Sequence, residues 1–186
     1  MTCPLRSSFE VKTVCLKRAH SLTRTSFSKH FALCWTAITT RFAVETVEKC
    51  VEETLTGDLN DPHHVTVAPA ELRAGLAACY PVTRKEPAAL VIGHPNCMMP
   101  DDGEKRLFAL LLAGKLRPGN DIVVTTADKA AWVASNGLGW LNSMTSLENL
   151  ARKAGVGRVS LDALALQYRE DWLSVIKTKI MLGIIP

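Results

Sequence analysis

No apolar run in this 186-residue chain approaches the roughly 18 to 20 residues that span a bilayer. The longest, LFALLLAG and IMLGIIP, stop well short, and no secretory apolar core follows the first basic residues. No membrane partner is expected. The six cysteines, at positions 3, 15, 34, 50, 79 and 97, include no Cys-x-x-Cys pair and no disulfide-framework rhythm. That is the pattern of reduced thiols in a reducing compartment. Aromatic residues make up only 6% of the chain, so the core must be built mostly from Leu, Val, Ile and Ala. The four tryptophans, Trp35, Trp132, Trp140 and Trp172, are dispersed beside apolar periodic positions, where packing is their default role.

Catalytic motifs are missing too. The glycines of GLG at 137–139 lack a third glycine and a strand–turn–helix setting, and there is neither Gly-x-Ser-x-Gly nor His-Glu-x-x-His. His94 and Cys97 stand three apart in HPNC, but zinc takes four ligands, and the other histidine pair, His63 and His64, lies far upstream. Asp101 and Asp102 resemble a carboxylate pair, yet helix capping accounts for them. Neither an enzyme nor a bound cofactor or metal is expected.

What is present is a mild positive charge and a lopsided N-terminus. The net charge is +4 and the isoelectric point about 8.8, which permits a polyanionic partner without requiring one. The first 44 residues hold seven basic side chains (Arg6, Lys12, Lys17, Arg18, Arg24, Lys29, Arg41) against one acid, Glu10, and are rich in Ser and Thr. A mitochondrial transit peptide has this composition, and so has a basic arm lying on nucleic acid. A solvated lead-in to a helix has it as well.

From Ser28 the apolar residues Phe31, Cys34, Trp35, Ile38, Phe42, Val47, Val51 and Leu55 recur at helical steps. They predict one long amphipathic helix over 28–57, stopped near Gly57. GDLNDPHH is a loop by composition, HVTVA a short strand, and Pro69 opens a helix through AELRAGLAACY. EPAALVIGH reads as a strand between prolines. DDGEKRLFALLLAGKL starts with Asp101 and has Glu104 three residues on, a capping-box-like opening of a buried helix. RPGN marks a turn, DIVVTT a strand, and ADKAAWVAS a helix stopped by Asn136 and Gly137. REDWLSVIKTKIML closes the chain as a helix.

The stretch SLENLARKAGVGRVSLDAL at 146–164 is the most informative. Leu147 and Leu150 form an inward face, Ala151 is small where two helices would cross, and Ala154 follows on that face. Gly155 suits a turn with positive φ and Val156 plugs it, while Leu161 and Leu164 face inward from a second helix. Ser146 or Thr145 can cap the first helix, with Glu148 in its first turn.

These positions resemble the helix-turn-helix family of DNA-binding regulators over residues 147–166. The resemblance implies a reading surface on the second helix, at Gly157, Arg158, Val159, Asp162 and Ala163, with Ser160 and Gln167 nearby. Arg158 suits a guanine edge. Asp162 would meet phosphates unfavourably but can accept from a cytosine amino group. Arg152 and Lys153 would touch the backbone. Upstream, LLLAGKLRPGNDI resembles the approach to the reading pair in some winged-helix regulators, although the interval here is longer.

The expectation is a mostly helical α+β protein: a basic arm at 1–27, the long helix at 28–57, and an α/β domain at 58–186 holding a winged-helix-like unit with the helix-turn-helix. Double-stranded DNA and a second copy of the chain are the expected partners, with dimerisation through the long helix or the tail IMLGIIP. The expected compartment is a bacterial cytoplasm or nucleoid. The rival expectation is a non-catalytic subunit of a larger assembly, in the mitochondrial matrix, with residues 1–40 as a transit peptide.

Overall fold

The computed structural model describes residues 24–55, 69–114 and 122–185. The fold is mostly helical, with one two-stranded parallel sheet among the described residues. No helix among them is long and apolar enough to cross a membrane. The expected strand HVTVA, the GDLNDPHH loop and the RPGN turn lie outside the described residues.

Helix α1 runs Arg24–Arg41. Strand β1, Glu45–Val47, and helix α2, Glu48–Leu55, follow. The single helix expected over 28–57 is therefore divided. Val44, Thr46 and Val47 are β-branched and stiff, and suit extended backbone. Their spacing also fits a helical stripe, so periodicity could not separate the two. All three β1 residues are buried.

Helix α3, Pro69–Ala74, opens on its proline as expected but stops early, and Ala78–Tyr80 forms strand β2. β2 lies parallel to β1, pairing Glu45 with Ala78, Thr46 with Cys79 and Val47 with Tyr80. The Tyr80 hydroxyl donates to Glu45 Oε2 at 2.8 Å.

Helix α4 occupies Lys85–Gly93, where a strand was expected. Pro87 sits in its first turn, where the missing N–H has no intrahelical partner to lose. Two alanines then favour helix, and only Leu90 of the apolar run is buried. A short apolar run between prolines carries no decisive period.

Helix α5, Asp102–Leu112, begins where expected, but the capping box is not made. The Asp101 side chain makes no cap bond. The Gly103 N–H donates instead to Glu53 Oε1 of α2 at 3.1 Å. Glu104 is fully buried and accepts from the Thr126 hydroxyl at 3.1 Å. At Gly103 an added Cβ would lie 2.4 Å from Glu53 Oε2 and 3.0 Å from Cys50 Sγ, so a side chain there would push the Glu53 carboxylate aside.

The DIVVTT segment makes a single parallel bridge, Val124 to Met144, rather than a strand of the sheet. Helix α6, Lys129–Gly137, starts on Asp128, whose carboxylate accepts from Ala130 N at 3.0 Å. It ends at Gly137, as expected, and Gly139 takes φ +72° just beyond. Helices α7, Leu147–Lys153, α8, Arg158–Asp162, and α9, Glu170–Met181, complete the fold.

Two apolar clusters result. One surrounds α5 and joins Leu107, Phe108 and Leu111 to Leu90, Val124, Trp132, Leu173 and Ile176. Trp140 meets Phe108 edge-on at 5.9 Å. The other joins Cys34, Trp35 and Ile38 of α1 to Leu147, Leu150, Ala151, Leu161 and Leu164. All four tryptophans thus pack, as their placement suggested.

Candidate nucleic-acid interface

The α7–α8 pair is built from its first cap inward. Ser146 Oγ accepts from Asn149 N at 3.0 Å, satisfying one orphan N–H of α7. The same hydroxyl donates to Glu170 of α9. Glu148 Oε2 accepts the Glu170 N–H at 2.7 Å, and its other oxygen accepts from Arg152 at 3.0 Å. The start of α7 is therefore tied to the start of α9.

At its far end α7 closes with a paired motif. Gly155 N donates to Arg152 O and Val156 N to Ala151 O, each at 3.0 Å. Gly155 takes φ +90°, a conformation that side chains resist. Val156 packs on the second cluster, and Leu147, Leu150, Ala151, Leu161 and Leu164 are all buried in it. Their partner is α1, which lies against both α7 and α8.

The second helix is shorter than its apolar spacing suggested and ends at Asp162. Leu164 and Tyr168 are both buried, and Tyr168 lies 5.9 Å from Phe31 of α1. After Asp162 the helical ladder gives way to a tighter turn, in which Leu164 N donates to Leu161 O at 3.1 Å. Gln167 sits in a 3₁₀ turn, Leu166–Tyr168, and not on the helix.

The other proposed contact residues divide by accessibility. Arg158 is open, with 91% of its side chain exposed. Lys153 is exposed, and Ser160 and Gln167 are half-buried. Arg152 is exposed but its guanidinium is engaged by Glu148. Asp162 lies 3.4 Å from Arg158 Nε and 3.4 Å from Arg169 Nη2. Sequence reasoning missed Arg169. It stands seven positions after Asp162, beyond the three- and four-residue steps at which helical neighbours pair. Val159, 80% exposed, and Leu166, 61% exposed, add apolar area to the same region.

Cys97 is buried, and burial raises its thiol pKa, the wrong direction for a nucleophile. His94 is half-buried, and no group of three His, Cys, Asp or Glu that could hold a metal occurs among the described residues. Of the basic residues in the first 44, Arg6, Lys12, Lys17 and Arg18 lie outside the described residues, while Arg41 is exposed at the end of α1.

No family model, curated protein or solved structure matches the chain.

Proposed function

We propose that this protein binds double-stranded DNA as a regulator, using α7 and α8 as a helix-turn-helix. The observation that carries the reading is a division of faces. Leu147, Leu150, Ala151, Leu161 and Leu164 are buried in the core they share with α1, and Ala154 and Val156 pack half-buried against it, while the Arg158 side chain is 91% exposed. A winged-helix-like surround from residue 101 onward is not required, because α1 supplies the support from the other side. In this reading Lys153 and Arg152 would contact phosphates and Arg158 would read a base edge.

A single pair reads only a few base pairs, so two copies would engage two half-sites. The inner face of α1 is already used in the core. The C-terminal tail is the better candidate for self-association, since Met181, Leu182 and Ile184 are exposed. The test is a gel shift with random and genomic DNA at low salt, with sizing of the complex. Absence of any shift at low salt overturns the reading.

A second reading, a non-catalytic subunit that docks protein on the same face, draws on the exposed Val159 and Leu166. Removal of a transit peptide reaching residue 40 would take Cys34 and Ile38 out of the core they share with α7 and α8. Co-purification of a stoichiometric protein partner, with no DNA shift, would favour it.

A further inference from the structure

We infer that Asp162 and Arg169 are positioning residues that hold the Arg158 guanidinium ready for a guanine edge. The inference rests on the DNA-binding reading above and deepens it. Asp162 looks misplaced on a surface meant for phosphates, since a carboxylate there repels the backbone. The geometry points to a different task. One carboxylate oxygen lies 3.4 Å from Arg158 Nε, and the other lies 3.4 Å from Arg169 Nη2. The ion pair with Nε holds one edge of the Arg158 guanidinium. Its two terminal nitrogens have no partner among the described residues, and the side chain is 91% exposed. Two parallel N–H donors facing outward are what O6 and N7 of guanine accept.

The row is anchored from behind. Arg169 directly precedes α9, whose first residue donates its N–H to Glu148 at 2.7 Å and accepts from Ser146. Leu161 is buried beside Asp162 and fixes the rotation of α8. The chain of contacts thus runs from the α7 cap through α9 and Arg169 to Asp162, and from there to the reading fork. A pre-oriented fork loses less side-chain freedom on binding than a free arginine does. The same carboxylate repels the phosphate backbone whatever the base. Asp162 therefore raises discrimination while reducing general affinity.

The experiment uses the full chain and DNA selected by it from a random pool. Affinities are measured for the selected duplex, for one with the critical guanine replaced by another base, and for one carrying 7-deazaguanine, which lacks the N7 acceptor. Wild type should prefer guanine and lose that preference with 7-deazaguanine, and Arg158→Ala should abolish it. Asp162→Ala should bind the replaced duplex more tightly, while guanine preference falls about two- to fivefold, the scale of exposed ion pairs. Arg169→Gln should lower guanine preference without tightening binding to the replaced duplex. The inference is overturned if Asp162→Ala tightens both duplexes equally and leaves the preference unchanged, for then Asp162 only repels. It also fails if wild type binds DNA with no guanine dependence on Arg158. If wild type binds no DNA, the underlying reading itself fails. Unchanged melting temperatures of the two variants, whose sites lie on the surface, separate these outcomes from misfolding.

Discussion

Gly103 and Glu53 hold the α2–α5 contact between them. The Glu53 carboxylate sits 2.4 Å from where a Gly103 Cβ would stand. Gly103→Ala should lower stability by about 1 to 3 kcal/mol in urea melts, the cost of overpacking a tight contact. Gly157→Ala is the control. It has open space around it and an ordinary φ of −71°, so its effect should stay within about 1 kcal/mol. Glu53 also carries a pH dependence. Burial raises its pKa above the ordinary range, with Asp101 and Asp102 adding to the shift, while the Gly103 N–H and Lys49 oppose it. The folded state then holds its proton longer than the unfolded chain does. Its contribution is fully present below the ordinary glutamate value of about 4.3 and is lost as pH rises through the raised folded value. Glu53→Gln keeps an acceptor for Gly103 and should flatten that decline in a pH series of melts. Glu48 acts with the opposite sign. The Arg73 guanidinium, bonded to it at 2.8 and 3.0 Å, lowers its pKa, so its contribution is lost as pH falls.

At the scale of elements, the α7–α8 pair was legible and its surroundings were not. The Ser146 cap, the Gly155 turn and the inward leucines follow from local rules: a hydroxyl three residues from an orphan N–H, a positive φ, a 3.6-residue period. Gly155→Ala forces a side chain into the left-handed region and should cost about 1 to 2 kcal/mol, measured by thermal or chemical melts. Arg158→Ala should leave the melts unchanged yet weaken binding to a selected DNA site by about 1 to 3 kcal/mol. The length of α8 was not legible because Leu161, Leu164 and Tyr168 recur at helical steps, so the apolar pattern runs on past the helix end at Asp162. The same limit explains α4, whose apolar run suits a strand until Leu90 is seen as its only buried residue. It explains the cap of α5 as well, since Glu53 lies fifty positions before the N–H it receives.

For the whole molecule, the second core joins α1 and residues as far as Leu72 to α7, α8 and Tyr168, far apart in sequence. Ile38 of α1 shares that core with Leu150 and Leu161, so Ile38→Ala should destabilise the protein by about 2 to 5 kcal/mol, read in denaturant unfolding. By itself the sequence determined most of the helices of the second half, the turn at Gly155 and the outward position of Arg158. Each of these depends on bonds and periods spanning a few residues. Only the tertiary structure decided that residues 28–57 break into helix, strand and helix, that β1 finds β2 in parallel, that α1 closes over α7 and α8, and that Arg169 reaches Asp162. Those outcomes depend on contacts between distant segments, where burial of apolar surface and the pairing of backbone groups overrule local preference.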